Sequence, residues 1–173
     1  MDMATALDWL RGHQRIPLNS PQDVIDSLKE VRKVLAQHPD PRCLPLVFGM
    51  FDDHMGWGIF QLFDDVLAKY SQEQLTPHLK SALLSDNRGT RWWATHWARE
   101  FLAPELAPEL EAILLNPEDD DAHYFAIGAL ADIYQMTHDS HVLAVLRDRA
   151  ATETDPECRE LLRESFKEFE AQG

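Results

Sequence analysis

Cysteine is nearly absent: the chain has two, Cys43 and Cys158, far apart and without a CxxC spacing or a disulfide framework. Stability therefore does not come from disulfide staples, and both read as reduced packing residues in a reducing compartment. Long apolar runs are missing too. No stretch approaches the roughly 20 apolar residues that cross a bilayer. The first residues, MDMATALDWLRGHQRIP, include Asp2 and Asp8 and hold neither a signal-length apolar core nor a small-residue cleavage site. A cytoplasmic chain is expected. Alternating Val, Ile, Thr or aromatic runs bounded by turn signals are also lacking, which argues against a sheet. There is no phosphate-cradling glycine loop, no G-x-S-x-G elbow and no nucleophile context around either cysteine, so an enzyme is not expected.

Basic residues are scarce. Sixteen Lys and Arg stand against 30 Asp and Glu, a net charge of -14. Such a field repels nucleic-acid phosphates and anionic lipid over about one Debye length, which removes nucleic acid and membrane surfaces as expected partners. The same field speeds and strengthens encounters with basic proteins, although acidity alone also serves solubility.

What is present is helical periodicity. Apolar residues recur at spacings of three and four almost throughout the 173 residues, a length that suits one domain burying roughly 70% of its unfolded surface. Ser20-Pro21 reads as a cap and first-turn proline, after which Val24, Leu28, Val31 and Leu35 mark one face to about His38. Further starts are predicted at Asp52 or Asp53, Ser71, Asp86, Asp119 to Asp121, Asp139 and Asp155-Pro156. That gives about nine helices joined by short turns, with no linker dividing residues 1–173.

A faint period follows, since Pro45, Pro77 and Pro108 lie 32 and 31 residues apart with apolar residues at comparable offsets. A first-turn proline, a polar break and a second helix with small inward residues is the sequence form of a helix-pair repeat. On these residues the segment LTPHLKSALLSDNRGTRWWATHWAREF resembles HEAT repeats, with Asp86, Arg91, Ala94, Ala98 and Phe101 in the family's positions. The next unit keeps Ala126, Ala129, Leu130 and Ile133 but has His123 in place of the Arg. The last restores Asp155 and Arg159. The resemblance covers about residues 42 to 169 and implies an all-α, HEAT-like solenoid of about four helix pairs after a short N-terminal helix. In such repeats the Asp and Arg steady the turn between helices, and the alanines allow close approach.

Metal ligation is one chemistry to weigh, because His138-Asp139 with His141, Asp121 with His123, and Asp53-His54 supply nitrogen and oxygen donors. Their spacing fits no defined ligand set, and Asp139 reads better as a helix cap. Neither a metal nor another cofactor is expected. The five tryptophans are more informative. From Arg91 to Leu102, Ala94, Trp97, Ala98 and Phe101 form the expected buried stripe, placing Trp92, His96 and Arg99 on the opposite face. From Met55 to Tyr70, Ile59, Leu62, Phe63, Val66 and Tyr70 form a stripe that places Trp57, Gln61 and Asp64 outward. Tyr124 and Asp132 fall on one face of a later helix, after the Asp119 to Asp121 turn.

Two segments, VFGMFDDHMGWGIFQLFDDVLAKY and RWWATHWAREFL, resemble the helical-repeat immunity proteins that protect bacteria from polymorphic or contact-delivered toxins. The resemblance implies a small protein that neutralises one cognate toxin, often a basic nuclease, by binding it without chemistry of its own. The contact residues then expected are Asp52, Asp53, Trp57, Asp64, Trp92, Asp120 and Tyr124. A general HEAT-type adaptor and a metal-dependent helical hydrolase remain as alternatives.

Overall fold

The structure, a computed structural model, describes residues 1–52 and 58–172. Among them every element is helical: ten α-helices joined by short 3-10 turns, with no strand. No helix among the described residues is long and apolar enough to cross a membrane. The chain divides into two compact units, Met1–Ala94 and Thr95–Gly173.

In the first unit α1 (Met3–Gly12) is capped by Asp2, whose carboxylate accepts from the Thr5 N–H at 2.8 Å. Helix α2 (Gln22–Gln37) buries Leu28, Val31 and Leu35 as their spacing predicts, while Val24 is half-buried. Ser20 is not the cap. Pro21 takes the boundary position, which leaves Ser20 outside the helix with its hydroxyl donating back to the Pro17 carbonyl at 2.7 Å. Helix α3 (Leu44–Met50) packs against α1 and α5.

The long helix expected between Met55 and Tyr70 is broken. Its described part consists of Gly58 at a positive φ of 76°, a 3-10 turn at Phe60–Phe63 and the four-residue α4 (Asp64–Leu67). In a 3-10 turn residues three apart eclipse one another, so Phe60 and Phe63 both point inward and Leu62, expected in the core, is 48% exposed. Phe60 and Phe51 meet edge to face at 4.8 Å, and each lies 5.6 Å from the buried Trp93.

Helix α5 (Gln72–Leu83) begins with a complete capping box between Ser71 and Gln74. That box starts the helix early and leaves Pro77 inside it. Pro45 and Pro108 do occupy first turns, of α3 and of α7 (Ala107–Leu115), so two of the three periodic prolines have the expected place. Helix α6 (Arg88–Glu100) is capped by Asn87 and not by Asp86: Asn87 Oδ1 accepts from the Gly89 and Thr90 N–H groups at 2.8 and 3.3 Å.

In the second unit α8 (His123–Thr137) packs against α7, α9 (Ser140–Thr152) and α10 (Pro156–Gln172). It buries Ala126, Ile127, Ala129, Leu130 and Ile133; alanines bring neighbours close, and each large aliphatic stabilises by about 1.5–3 kcal/mol. Helix α8 ends at His138, in the left-handed region at φ 53°, and Asp139 then caps α9 by accepting from the His141 N–H. Asp155 caps α10 through the Glu157 and Cys158 N–H groups, both at 2.9 Å. These starts are as predicted. The one at Asp119 to Asp121 is not: Asn116 caps a 3-10 turn, Pro117–Ala122, and Asp119 turns inward to accept from Asn116 Nδ2 at 2.8 Å.

Candidate functional site

Asp53 and Trp57, expected at the interface, lie outside the described residues. Asp52 is half-buried beyond the end of α3, and Asp64 is half-buried at the start of α4. Trp92 is half-buried on α6, edge-on to Trp93 with ring centres 4.8 Å apart. The outward face expected there is corrected: Trp92, His96 and Arg99 are all half-buried, and Trp93, unassigned by the helical stripe, is 1% exposed. A helix enclosed on most sides defeats a two-face reading. The spacing of Trp93 and Trp97, four apart, was the signal available. Phe101, expected in the stripe, falls past the end of α6 and is half-buried.

The second unit holds Asp120 and Tyr124, both exposed at the entry to α8. Along α8, Tyr124, Gly128 and Asp132 recur every four residues and so share one face. Arg99 lies across them, with Cζ 5.8 Å from the Tyr124 ring centre and Nε 3.9 Å from Asp132 Oδ2. Gly128 makes room for it, because a Cβ there would come within 2.7 Å of Arg99 Nε. The Asp132 carboxyl is pushed above its ordinary range by burial, Arg99 pulling it down and Glu168 pushing it up.

Beside this face lies a polar network that the sequence did not disclose. Arg149 is a donor only, so its 2.8 Å contact to His123 Nδ1 makes that nitrogen the acceptor. The proton of this neutral ring then sits on Nε2, which donates to the Ile113 and Asn116 carbonyls, both at 3.2 Å. Arg149 also donates to the Leu114 carbonyl at 3.1 Å and to Glu153 at 2.6 Å. Burial pushes the Glu153 carboxyl up, but the Asp155 N–H, Arg149 and the Thr154 N–H together hold it below its ordinary value. The i, i+4 spacing of Arg149 and Glu153 was legible, and their partners were not.

Above this network opens a recess of about 740 Å³ with Asp120, Asp121 and Asp155 among its lining residues. Cys158 borders it, its thiol pushed up to about 12 by burial first and by Glu153 and Asp155 next, which keeps it protonated and a poor nucleophile. Cys43 is buried as well, and both thiols are free. His138 and Asp139 form the α8–α9 turn, and His141 Nε2 lies 3.0 Å from Glu111. Among the described residues no group of three or more His, Cys, Asp or Glu is arranged to hold a metal ion. The chemistry on offer at this surface is carboxylate and aromatic, suited to meeting cations. No protein-family model matches the chain, and no curated protein or solved structure matches it.

Proposed function

We propose that this chain is a HEAT-like immunity protein that binds and neutralises a cognate basic protein toxin, with no catalytic step of its own. The observation that carries this reading is the acidic surface of the second unit. There the 78%-exposed Leu115 lines one recess with Asp120, Asp121 and Asp155, and Tyr124 lines another with Glu157, Glu160 and Glu164, in a chain of net charge -14. An exposed aromatic set in charge of one sign is the composition of a binding hot spot with a steering field around it. Two local features support the repeat reading: Arg91 donates to the Ser85 carbonyl at 2.8 Å across the turn before α6, and Ala94, Ala98, Ala126 and Ala129 are all buried.

The test is co-expression with the C-terminal region of the protein encoded by the adjacent gene. The expected result is a complex that survives moderate salt, together with relief of that region's toxicity. Neither binding nor protection would overturn the reading. An adaptor is the second reading. It is favoured by an aromatic recess of about 410 Å³ at Tyr134, Leu143, Phe166 and Phe169, which offers a further surface in the same unit.

A further inference from the structure

In the first unit a recess of about 330 Å³ opens where α3 and α5 meet the stretch that follows α1. Its lining includes Arg15, His78, Ser81 and Ser85 and no Asp or Glu, in a chain where acids outnumber bases 30 to 16. Phe48 and Ala82 add apolar surface. Arg15 stands in the left-handed region at φ 59°, which few residues other than glycine adopt. Two backbone hydrogen bonds to α3 hold it there: its own N–H donates to the Gly49 carbonyl at 3.1 Å and the Ile16 N–H to the Met50 carbonyl at 2.9 Å. Glycine takes this conformation without strain. Strained positions of this kind cluster at ligand sites, and here the position carries a guanidinium.

We infer that this recess binds a small organic anion, a carboxylate or a phosphate ester, with Arg15, His78, Ser81 and Ser85 donating to its oxygens. The inference goes beyond the toxin-binding reading and does not depend on it. The hydrogen-bonding groups of the lining give the sign of the ligand. Gln14, Asn87 and Thr90 use their donors within the protein: Gln14 Nε2 donates to the Leu10 carbonyl at 2.7 Å, and Asn87 Nδ2 and the Thr90 hydroxyl to the Phe51 carbonyl at 3.4 and 3.3 Å. Arg15, His78 and Ser81 make no side-chain hydrogen bond or ion pair among the described residues. Ser85 Oγ accepts from the Asn87 N–H at 3.1 Å, which leaves its own proton to donate. A cation meets no carboxylate in this lining, and a purely apolar ligand desolvates the guanidinium without a partner. An oxyanion matches the guanidinium fork, and its organic body covers Phe48 and Ala82. Burial holds the His78 imidazole below its ordinary value; a neighbouring anion favours the protonated ring, which then adds a second positive charge. The overall charge of -14 repels anions from a distance, but salt screens that field over about 8 Å at physiological strength while these donors act at contact.

The full chain is titrated at physiological salt with phenyl phosphate, benzoate and the neutral benzamide, by calorimetry and by nuclear magnetic resonance of the backbone amides. Saturable binding of at least one of the two anions is expected, about tenfold or more tighter than benzamide. The tighter of the two tells a phosphate site from a carboxylate site. Amide shifts should centre on residues 14–16, 45–49 and 78–90. Equal affinity for benzamide, no binding of either anion, or shifts centred in the second unit would each overturn the inference. Arg15→Gly removes the guanidinium and relieves the positive φ, so it is expected to lose about tenfold or more in anion affinity while the melting temperature holds or rises. Retained affinity in that variant overturns the assignment of Arg15. The pair S81A/S85A, which leaves the backbone and the charge alone, is expected to lose affinity several-fold. Arg147→Gln, the same loss of charge on the exposed face of α9, should bind like the parent; a loss equal to that of Arg15→Gly means that net charge and not the recess holds the anion.

Discussion

Arg149 holds three partners that lie on different stretches of chain: the Leu114 carbonyl at the end of α7, His123 at the start of α8, and Glu153 after α9. With 22% of the Arg149 side chain exposed and 3% of Glu153, truncating the arginine leaves a largely desolvated carboxylate. Arg149→Ala is expected to destabilise by about 2–4 kcal/mol in a denaturant melt. The pH dependence has a definite sign. The Glu153 carboxyl lies lower in the folded chain than its ordinary 4.5, so its contribution is complete above that value and is lost as pH falls through the folded one. Stability measured from pH 6 down to pH 3 should fall less steeply in Glu153→Gln than in the parent. An unchanged slope would assign acid unfolding to other carboxylates. Asp132 runs the opposite way. Its raised carboxyl favours the fold below the unfolded value and costs stability as pH rises through the folded one, so Asp132→Asn should melt higher at neutral pH.

At the scale of elements, caps were the most legible feature. Ser71 with Gln74, Asp139 and Asp155 fit local rules in which a short acceptor precedes an amphipathic run, and the helices start where those rules place them. Ser71→Ala should cost about 1 kcal/mol by loss of that cap, read as a shift in melting midpoint. Ser20, Asp86 and Asp119 failed as caps because another residue, Pro21, Asn87 or Asn116, reached the boundary first. Which residue takes the boundary depends on the angle at which the chain enters the helix, and composition does not carry that angle. The break near Gly58 was hidden likewise, since a 3-10 turn and an α-helix share similar apolar patterns over four residues. Helix α6 shows the limit of periodicity: Trp93 and Trp97 are both buried, whereas a single apolar stripe accounts for only Trp97. Trp93→Ala should therefore cost about 3–5 kcal/mol, clearly more than Trp92→Ala. Comparable losses would mean that Trp92 is as much a core residue as its neighbour. The acidic recess was the least legible feature, because its lining joins a turn at residue 120 to a helix start at residue 155. Of the contact residues expected in the second unit, Asp120 lines that recess and Tyr124 lines another.

For the whole molecule, 30 acidic residues against 16 basic ones act on folding and on association in opposite directions. Within the chain the excess is self-repulsion, which added salt screens; the Debye length falls from about 30 Å at 0.01 M to about 3 Å at 1 M. The melting temperature should therefore rise with sodium chloride over that range. Towards a basic partner the same excess is steering, so its association rate should fall by about tenfold or more as salt rises, while dissociation changes little. A protein whose acidity serves solubility alone would show the first effect and not the second. The two measurements on one preparation thus separate the readings of the charge: a rising melting temperature with a salt-insensitive association rate would deny the acidic recess its part in capture, and a rate that falls with salt in the parent but not in D120K/D121K would place the steering charge there.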